Sequence, residues 1–135
     1  MAAPAPYLQF AGDAAEALGL YREVFGGELT LHTFAEFGRE DGPPGSVAHG
    51  ILSGPVDLFG ADGAVGAPSR RDGVMLSLLG FAPPETLHRW FEALSVRGEV
   101  VEPLQRRPWG AADGTVRDRF GVTWLIGYEG DAETG

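Results

Sequence analysis

LYREVFGGELT (residues 20–30) and WFEALSVRGEVV (residues 90–101) are the two stretches on which the reading of this sequence turns. Each runs from an aromatic-bearing helix end through a glycine stop into a strand that opens with a glutamate, Glu28 or Glu99. Glycine ends helices because it accepts backbone angles that a Cβ disfavours. Residue identity between the two stretches is weak, but the order of elements around them repeats.

Working outward from the first stretch, residues 7–10 form a short apolar strand, and Gly12 and Asp13 supply a turn and a helix N-cap. From Ala14 the pattern is helical, with Ala15, Leu18, Arg22 and Phe25 on one side and Tyr21 beside them. Residues 28–34 alternate Leu29 and Leu31 against Thr30 and His32, a strand with two unlike faces. Residues 38–45 are a Gly- and Pro-rich loop, and 47–52 and 56–59 read as strands joined at Ser53-Gly54-Pro55.

Around the second stretch the order recurs. Residues 74–79 form a strand, and Pro83-Pro84-Glu85 opens a helix, where proline is tolerated. Leu87, Trp90, Phe91 and Leu94 are its apolar stripe, and Gly98 ends it. Strands at 99–104, 115–117 and 122–128 follow. The expected organisation is one α+β domain over residues 1–135, built from two βαβββ modules at about 5–60 and 73–128. A Gly-rich linker at about 61–72 joins them, and a polar tail at 129–135 frays. Modules this small are marginal alone, so they are expected to combine in one curved, partly closed sheet with helices on its convex face. The concave face is left for a ligand.

Composition narrows the function. The chain has 135 residues and 44% apolar content, a globular balance rather than a disordered one. It has no cysteine, which excludes disulfides, thiolate metal sites and a cysteine nucleophile. No apolar run approaches the roughly 20 residues of a membrane span, and the first residues lack the basic and apolar regions of a secretory signal. A cytoplasmic protein with no membrane partner is expected. The formal charge of −9 disfavours nucleic acid, itself a polyanion, and tolerates a cationic ligand. Neither a nucleophile elbow nor a phosphate or dinucleotide loop is present. Gly60, Gly63 and Gly66 lie outside any strand–turn–helix pattern and read as linker.

Three stretches point further: PYLQFAGDAAEALGLYREVFGGELTL at 6–31, VAHGILSG at 47–54 and PLQRRPWGAADGTVRDRFGVTWLI at 103–126. The last joins a Trp-Gly loop, a glycine turn and a D-x-F-G-V-x-W hairpin. With the order of elements, they resemble the vicinal oxygen chelate superfamily of glyoxalase I, extradiol dioxygenases and bleomycin-resistance proteins, and in particular its PhnB-like branch. The resemblance implies the glyoxalase/bleomycin-resistance fold and a homodimer whose cavity lies near the subunit contact. It also implies where a metal would bind, and those positions carry Ala5 or Pro6, Gly73 or Val74, and Leu125, none of which is a ligand. Asp57 alone remains. No metal and no cofactor is expected.

Strand alternation assigns the lining of the cavity. Tyr7 and Gln9 point into it while Leu8 and Phe10 support it. Leu125 points inward while Val122, Trp124 and Ile126 pack under the helices. Met75 and Ser77 face it from the fifth strand. His49 matches a histidine recurring in the PhnB-like branch and reads as pocket wall, and His32 as pocket edge. Trp109, between Pro108 and Gly110, is placed to cap the cavity and stack on a flat ligand. His88 reads as surface, Arg106-Arg107 as a solvated hairpin edge, and Asp118 as a turn former. The expected function is metal-independent binding of a small, partly aromatic molecule, with drug or antibiotic sequestration of the bleomycin-resistance kind as its form. The alternative is a metal-dependent glyoxalase- or dioxygenase-like enzyme with Gln9, His32 and His49 as unorthodox ligands. A metal-free acid–base enzyme using His49 or Asp57 ranks last, because sequence pairs no base with an orienting partner.

Overall fold

The computed structural model describes residues 4–64 and 71–130. Expectations for the first three residues, for 65–70 of the linker (Gly66 included) and for 131–135 of the tail lie outside the described residues. The chain divides into two compact units, Met1–Arg70 and Arg71–Gly135. Unit one contains β1 (Tyr7–Phe10), α1 (Ala14–Phe25), β2 (Glu28–Thr33), β3 (Val47–Ser53) and β4 (Leu58–Asp62). Unit two contains β5 (Leu76–Leu79), α2 (Pro84–Ser95), β6 (Glu99–Arg106), β7 (Ala112–Arg117) and β8 (Thr123–Tyr128). Each is the βαβββ module expected from the repeat.

Each unit forms a four-stranded sheet of the same topology, β1-β4-β3-β2 and β5-β8-β7-β6. The first and last strands of each unit pair in parallel, and the other neighbours are antiparallel. A parallel pair needs a long crossover, which the intervening helix and hairpin provide.

The helices cover one face of each sheet. In unit one Leu8, Phe10, Leu52 and Leu58 are buried with Leu18, Tyr21 and Phe25 of α1. Gly50 and Gly60 are cross-strand partners. A Cβ at Gly50 would stand 2.5 Å from Leu18 Cδ1, so the bare backbone makes room for that leucine. In unit two Leu78, Val116, Trp124 and Ile126 are buried together with the expected stripe Leu87, Trp90, Phe91 and Leu94.

The expected stripe of α1 needs correcting. Ala15 and Arg22 are exposed, and the buried set is Ala14, Ala17, Leu18, Leu20, Tyr21 and Phe25. The stripe is therefore centred on Leu18 and Tyr21, because a 3.6-residue period that starts at Ala14 carries Arg22 to the solvent side. Capping differs as well. Asp13 holds the N-cap position but makes no side-chain cap. The cap is supplied by Asp62, a buried residue of β4 in the segment expected to be linker. Its Oδ1 accepts the N–H groups of Gly12 (2.9 Å) and Ala14 (3.0 Å), and its Oδ2 that of Val47 (2.9 Å). A carboxylate at a helix N-terminus satisfies donors that the helix leaves open.

The repeated glycine before glutamate has a packing cause in both units. A Cβ at Gly27 would collide with the carbonyl of Ser53, and one at Gly98 with that of Arg117. The chain must thread past the end of the neighbouring strand at each place. After α2 it is Arg97, at φ 61°, rather than glycine, that takes the left-handed conformation.

Candidate functional site

The face of each sheet turned from its helix is the place for a site. In unit one, Tyr7 pairs with Phe59, Phe59 with Ile51 and Ile51 with Thr30, a row of side chains across all four strands. On the same side, Gln9 is opposite Ala61, and His49 is directly opposite His32. Strand alternation puts Leu8 and Phe10 on the buried side and Tyr7 and Gln9 on the open one, as expected.

Three rings on this face form a cluster. The Tyr7 and His49 centroids are 5.6 Å apart, Tyr7 and Phe59 5.8 Å, and His49 and Phe59 5.6 Å, with interplanar angles of 17–28°. The Tyr7 hydroxyl and His49 Nδ1 are hydrogen-bonded at 2.8 Å. Tyr7 nevertheless remains 47% exposed, so the cluster lies on the surface rather than in the core.

His32 is held differently. Its Nδ1 lies 3.0 Å from Glu36 Oε2, and its ring stacks on Phe37 at 5.6 Å. Both partners belong to the loop that follows β2. That loop is anchored by the buried Phe34, whose N–H donates to Ser46 O, and by Ala35 N–H donating to Pro44 O. Arg39 lies 3.9 Å from the Phe34 ring centroid and donates to Asp41 at 2.9 and 2.6 Å. The hydrogen bonds to Asp41 raise the Arg39 guanidinium above its ordinary range, and those from Arg39 lower the Asp41 carboxyl.

Unit two presents a plainer open face. Ser77 pairs with Leu125, and Leu125 with Thr115; Met75 is 53% exposed just before β5. Trp109 lies at the tip of the β6–β7 hairpin and is 73% exposed. The tip is braced. Arg107 N–H donates to Ala111 O (2.7 Å), Gly110 N–H to Arg107 O (2.9 Å), and Arg106 Nη1 to Gly110 O (2.7 Å). Arg107 also pairs with Asp113 at 2.8 Å, and that hydrogen bond raises its guanidinium above the ordinary range. Arg106 and Arg107 therefore hold the hairpin, which explains why β6 and β7 extend beyond the expected 99–104 and 115–117.

The eight residues singled out in the sequence thus fall in two sets. Tyr7, Gln9, His32 and His49 are on unit one. Met75, Ser77, Leu125 and Trp109 are on unit two. Asp118 forms its turn as expected and does more. Its Oδ1 accepts from Phe120 and Val122, and its Oδ2 from Trp124 Nε1 at 2.8 Å. His88 is exposed, and its Nε2 is 2.9 Å from the Tyr128 hydroxyl. Sequence reasoning missed Phe59, the residue that joins Tyr7 and His49. Alternation along 56–59 was the available signal, but the parallel pairing that sets it beside Tyr7 was not.

The residues at the metal positions implied by the family resemblance do not fit a metal. Leu125 offers no donor. Asp57 precedes β4, and its Oδ1 accepts the Gly54 N–H at 3.0 Å to close the β3–β4 turn. Among the described residues, no group of three or more His, Asp or Glu side chains is disposed to hold a metal ion. Nor is any described helix long and apolar enough to cross a membrane.

Comparison with known proteins agrees with this fold. Residues 4–126 match the model of the glyoxalase/bleomycin resistance protein/dioxygenase superfamily. Protein YjdN of Escherichia coli K12 is 29% identical over 90% of this chain and 91% of its own. The crystal structure of protein PA1353 from Pseudomonas aeruginosa is 31% identical, with a TM-score of 0.79 over 97% of this chain and 100% of that one. A Bacillus cereus PhnB protein, described as a putative 3-demethylubiquinone-9 3-methyltransferase, shares the fold at 21% identity and a TM-score of 0.77, over 94% of this chain and 99% of that one. The paired βαβββ units, their shared strand order and a family match over nearly the whole length make this chain a member of the glyoxalase/bleomycin resistance protein/dioxygenase superfamily.

Proposed function

We propose that this protein binds a small, partly aromatic molecule without a metal, and that the Tyr7–His49–Phe59 cluster is the anchor of the site. The single observation that carries the reading is the open triangle of rings with a hydrogen bond at its edge. Rings of this kind bury flat apolar surface, and the Tyr–His edge supplies orientation. Gln9 and His32 flank the cluster. On unit two, Met75, Ser77, Leu125 and Trp109 are the residues of its own open side that we propose for ligand contact. Sequestration of a drug or antibiotic, in the manner of the bleomycin-resistance side of the superfamily, is the form of binding we favour. A second copy is the expected protein partner, and the cytoplasm the expected compartment.

Metal independence is supported by the residues at the family's metal positions, where Leu125 has no donor and Asp57 closes the β3–β4 turn. Gln9, His32 and His49 share one face of unit one. One observation favours the metal-dependent alternative, namely that His32 and His49 are direct cross-strand partners. Metal analysis of protein purified without a chelator or a histidine tag decides between them. We expect no stoichiometric metal, and about one equivalent per chain, lost in His49→Ala, would overturn the reading. On metal-stripped protein, Trp109→Ala should weaken binding of planar compounds by about 1–3 kcal/mol. Unchanged affinity by calorimetry removes Trp109 from the site.

A further inference from the structure

We propose that the outer edge of β2 is the docking surface for a second copy of this chain, with the two β2 strands paired antiparallel about a two-fold axis at Thr30. The inference gives the second copy a place on the fold and stands apart from the ligand reading.

A sheet edge presents unpaired backbone N–H and C=O groups, and proteins blunt such edges with short strands, proline or bulges. Three of the four edges of the two sheets are blunted in this way. β1 and β5 are four residues long, and β6 carries Pro103 and two register shifts. β2 is not. It ends its sheet, has six residues with no proline, and keeps an unbroken register with β3 from Glu28 to His32. Among the described residues, the only backbone partner of 28–32 is β3. Leu29 and Leu31 are only half-buried.

The order of side chains along the strand points to the occupant. ELTLH (residues 28–32) is complementary to its own reverse. In an antiparallel pair, residues directly opposite each other lie on the same face. With Thr30 opposite Thr30 of the partner subunit, Leu29 lies opposite the partner's Leu31, and Glu28 opposite the partner's His32. Thr–Thr, apolar and opposite-charge pairs are those that stabilise antiparallel neighbours, and the protonated imidazole is the positive member here. A slip of one residue brings the leucines of one strand onto the threonine face of the other. A slip of two in either direction loses both Glu–His pairs. The chain's charge of −9 opposes self-association in general, so local complementarity has to supply the attraction. Such a contact is isologous, as a two-fold dimer requires. It joins two four-stranded sheets into one of eight strands and sets the partner's Glu28 beside His32, at the flank of the ring cluster.

Sedimentation velocity of the full chain, from the micromolar to the millimolar range, tests this. Wild type is expected to associate to a dimer. Thr30→Arg sets two like charges at the axis and is expected to stay monomeric over the same range. Glu28→Arg should weaken the dimer about tenfold, and Glu28→Arg combined with His32→Glu should restore it. Cross-linking reads the register, since the chain has no cysteine of its own. Thr30→Cys should form an intermolecular disulfide under mild oxidation. Glu28→Cys should not, because its counterpart is about 13 Å away along the strand, beyond the reach of a disulfide. Should Thr30→Arg fail to fold, the two cysteine variants carry the test. The proposal is overturned by a wild type that is monomeric throughout, by a Thr30→Arg or Glu28→Arg dimer as tight as wild type, or by Glu28→Cys cross-linking as readily as Thr30→Cys.

Discussion

On the open face of unit one, Tyr7, His49 and Phe59 stand in mutual ring contact, with His32 beside its own aromatic partner Phe37. On the corresponding face of unit two, the same strand order displays Ser77, Leu125 and Thr115. The helix-covered faces differ far less. Both are apolar, and each unit is tied by one buried carboxylate with three donors, Asp62 in one and Asp118 in the other. The difference teaches where the constraint lies. The buried face of a βαβββ unit must fill space and satisfy the backbone, so the repeat is kept there. The open face carries no such packing demand, so the units are free to diverge there.

The largest effects should come from the tied frames. Asp62→Ala removes the acceptor of three backbone N–H groups, two of them buried, and Asp118→Ala that of two backbone N–H groups, one of them buried, and of the Trp124 indole. Each should lower stability by about 3 kcal/mol in urea unfolding. A marked inequality between them would show that the two frames are not equivalent. Next come the glycines of the repeat. Gly27→Ala and Gly98→Ala drive a methyl into the carbonyls of Ser53 and Arg117 and should each cost about 1–3 kcal/mol. Gly27 should suffer more, since its φ of 111° adds backbone strain. Equal losses would mean the close approach alone matters.

The smallest effect belongs to the exposed Arg39–Asp41 pair. Asp41 has a carboxyl lowered by the Arg39 hydrogen bonds, so its folded value lies below its unfolded one. The pair's contribution is therefore present above the ordinary carboxylate range and disappears as pH falls through the folded value. Asp41→Asn should be slightly less stable than wild type at neutral pH, indistinguishable in acid, and less affected in high salt. A difference that persists in acid would assign Asp41 a role other than this ion pair.

Much of the frame was legible in the chain. The order of elements, the stripe of α2 and the helix-facing set Val122, Trp124 and Ile126 follow from local periods of 3.6 and 2, which short windows reveal. The stripe of α1 was misplaced because alanines at both Ala14 and Ala15 leave the phase of the helix open. Asp62 was invisible as a cap, since its partners Gly12 and Ala14 are 50 and 48 residues away. The candidate site was legible only in its single residues. Alternation pointed to Tyr7, Gln9, His32 and Leu125, and alternation with the family resemblance to His49. That Tyr7 meets His49 depends on β1 pairing with β4 in parallel across an intervening helix and hairpin, a register no local pattern states.

The most direct test is to map binding onto the two units by NMR, using a protein labelled at histidine, phenylalanine and leucine and titrated with a planar bicyclic compound. Saturable shifts led by His49 and Phe59 are expected. Shifts led by Leu125 and its neighbours, with His49 and Phe59 unmoved, would contradict the proposed site.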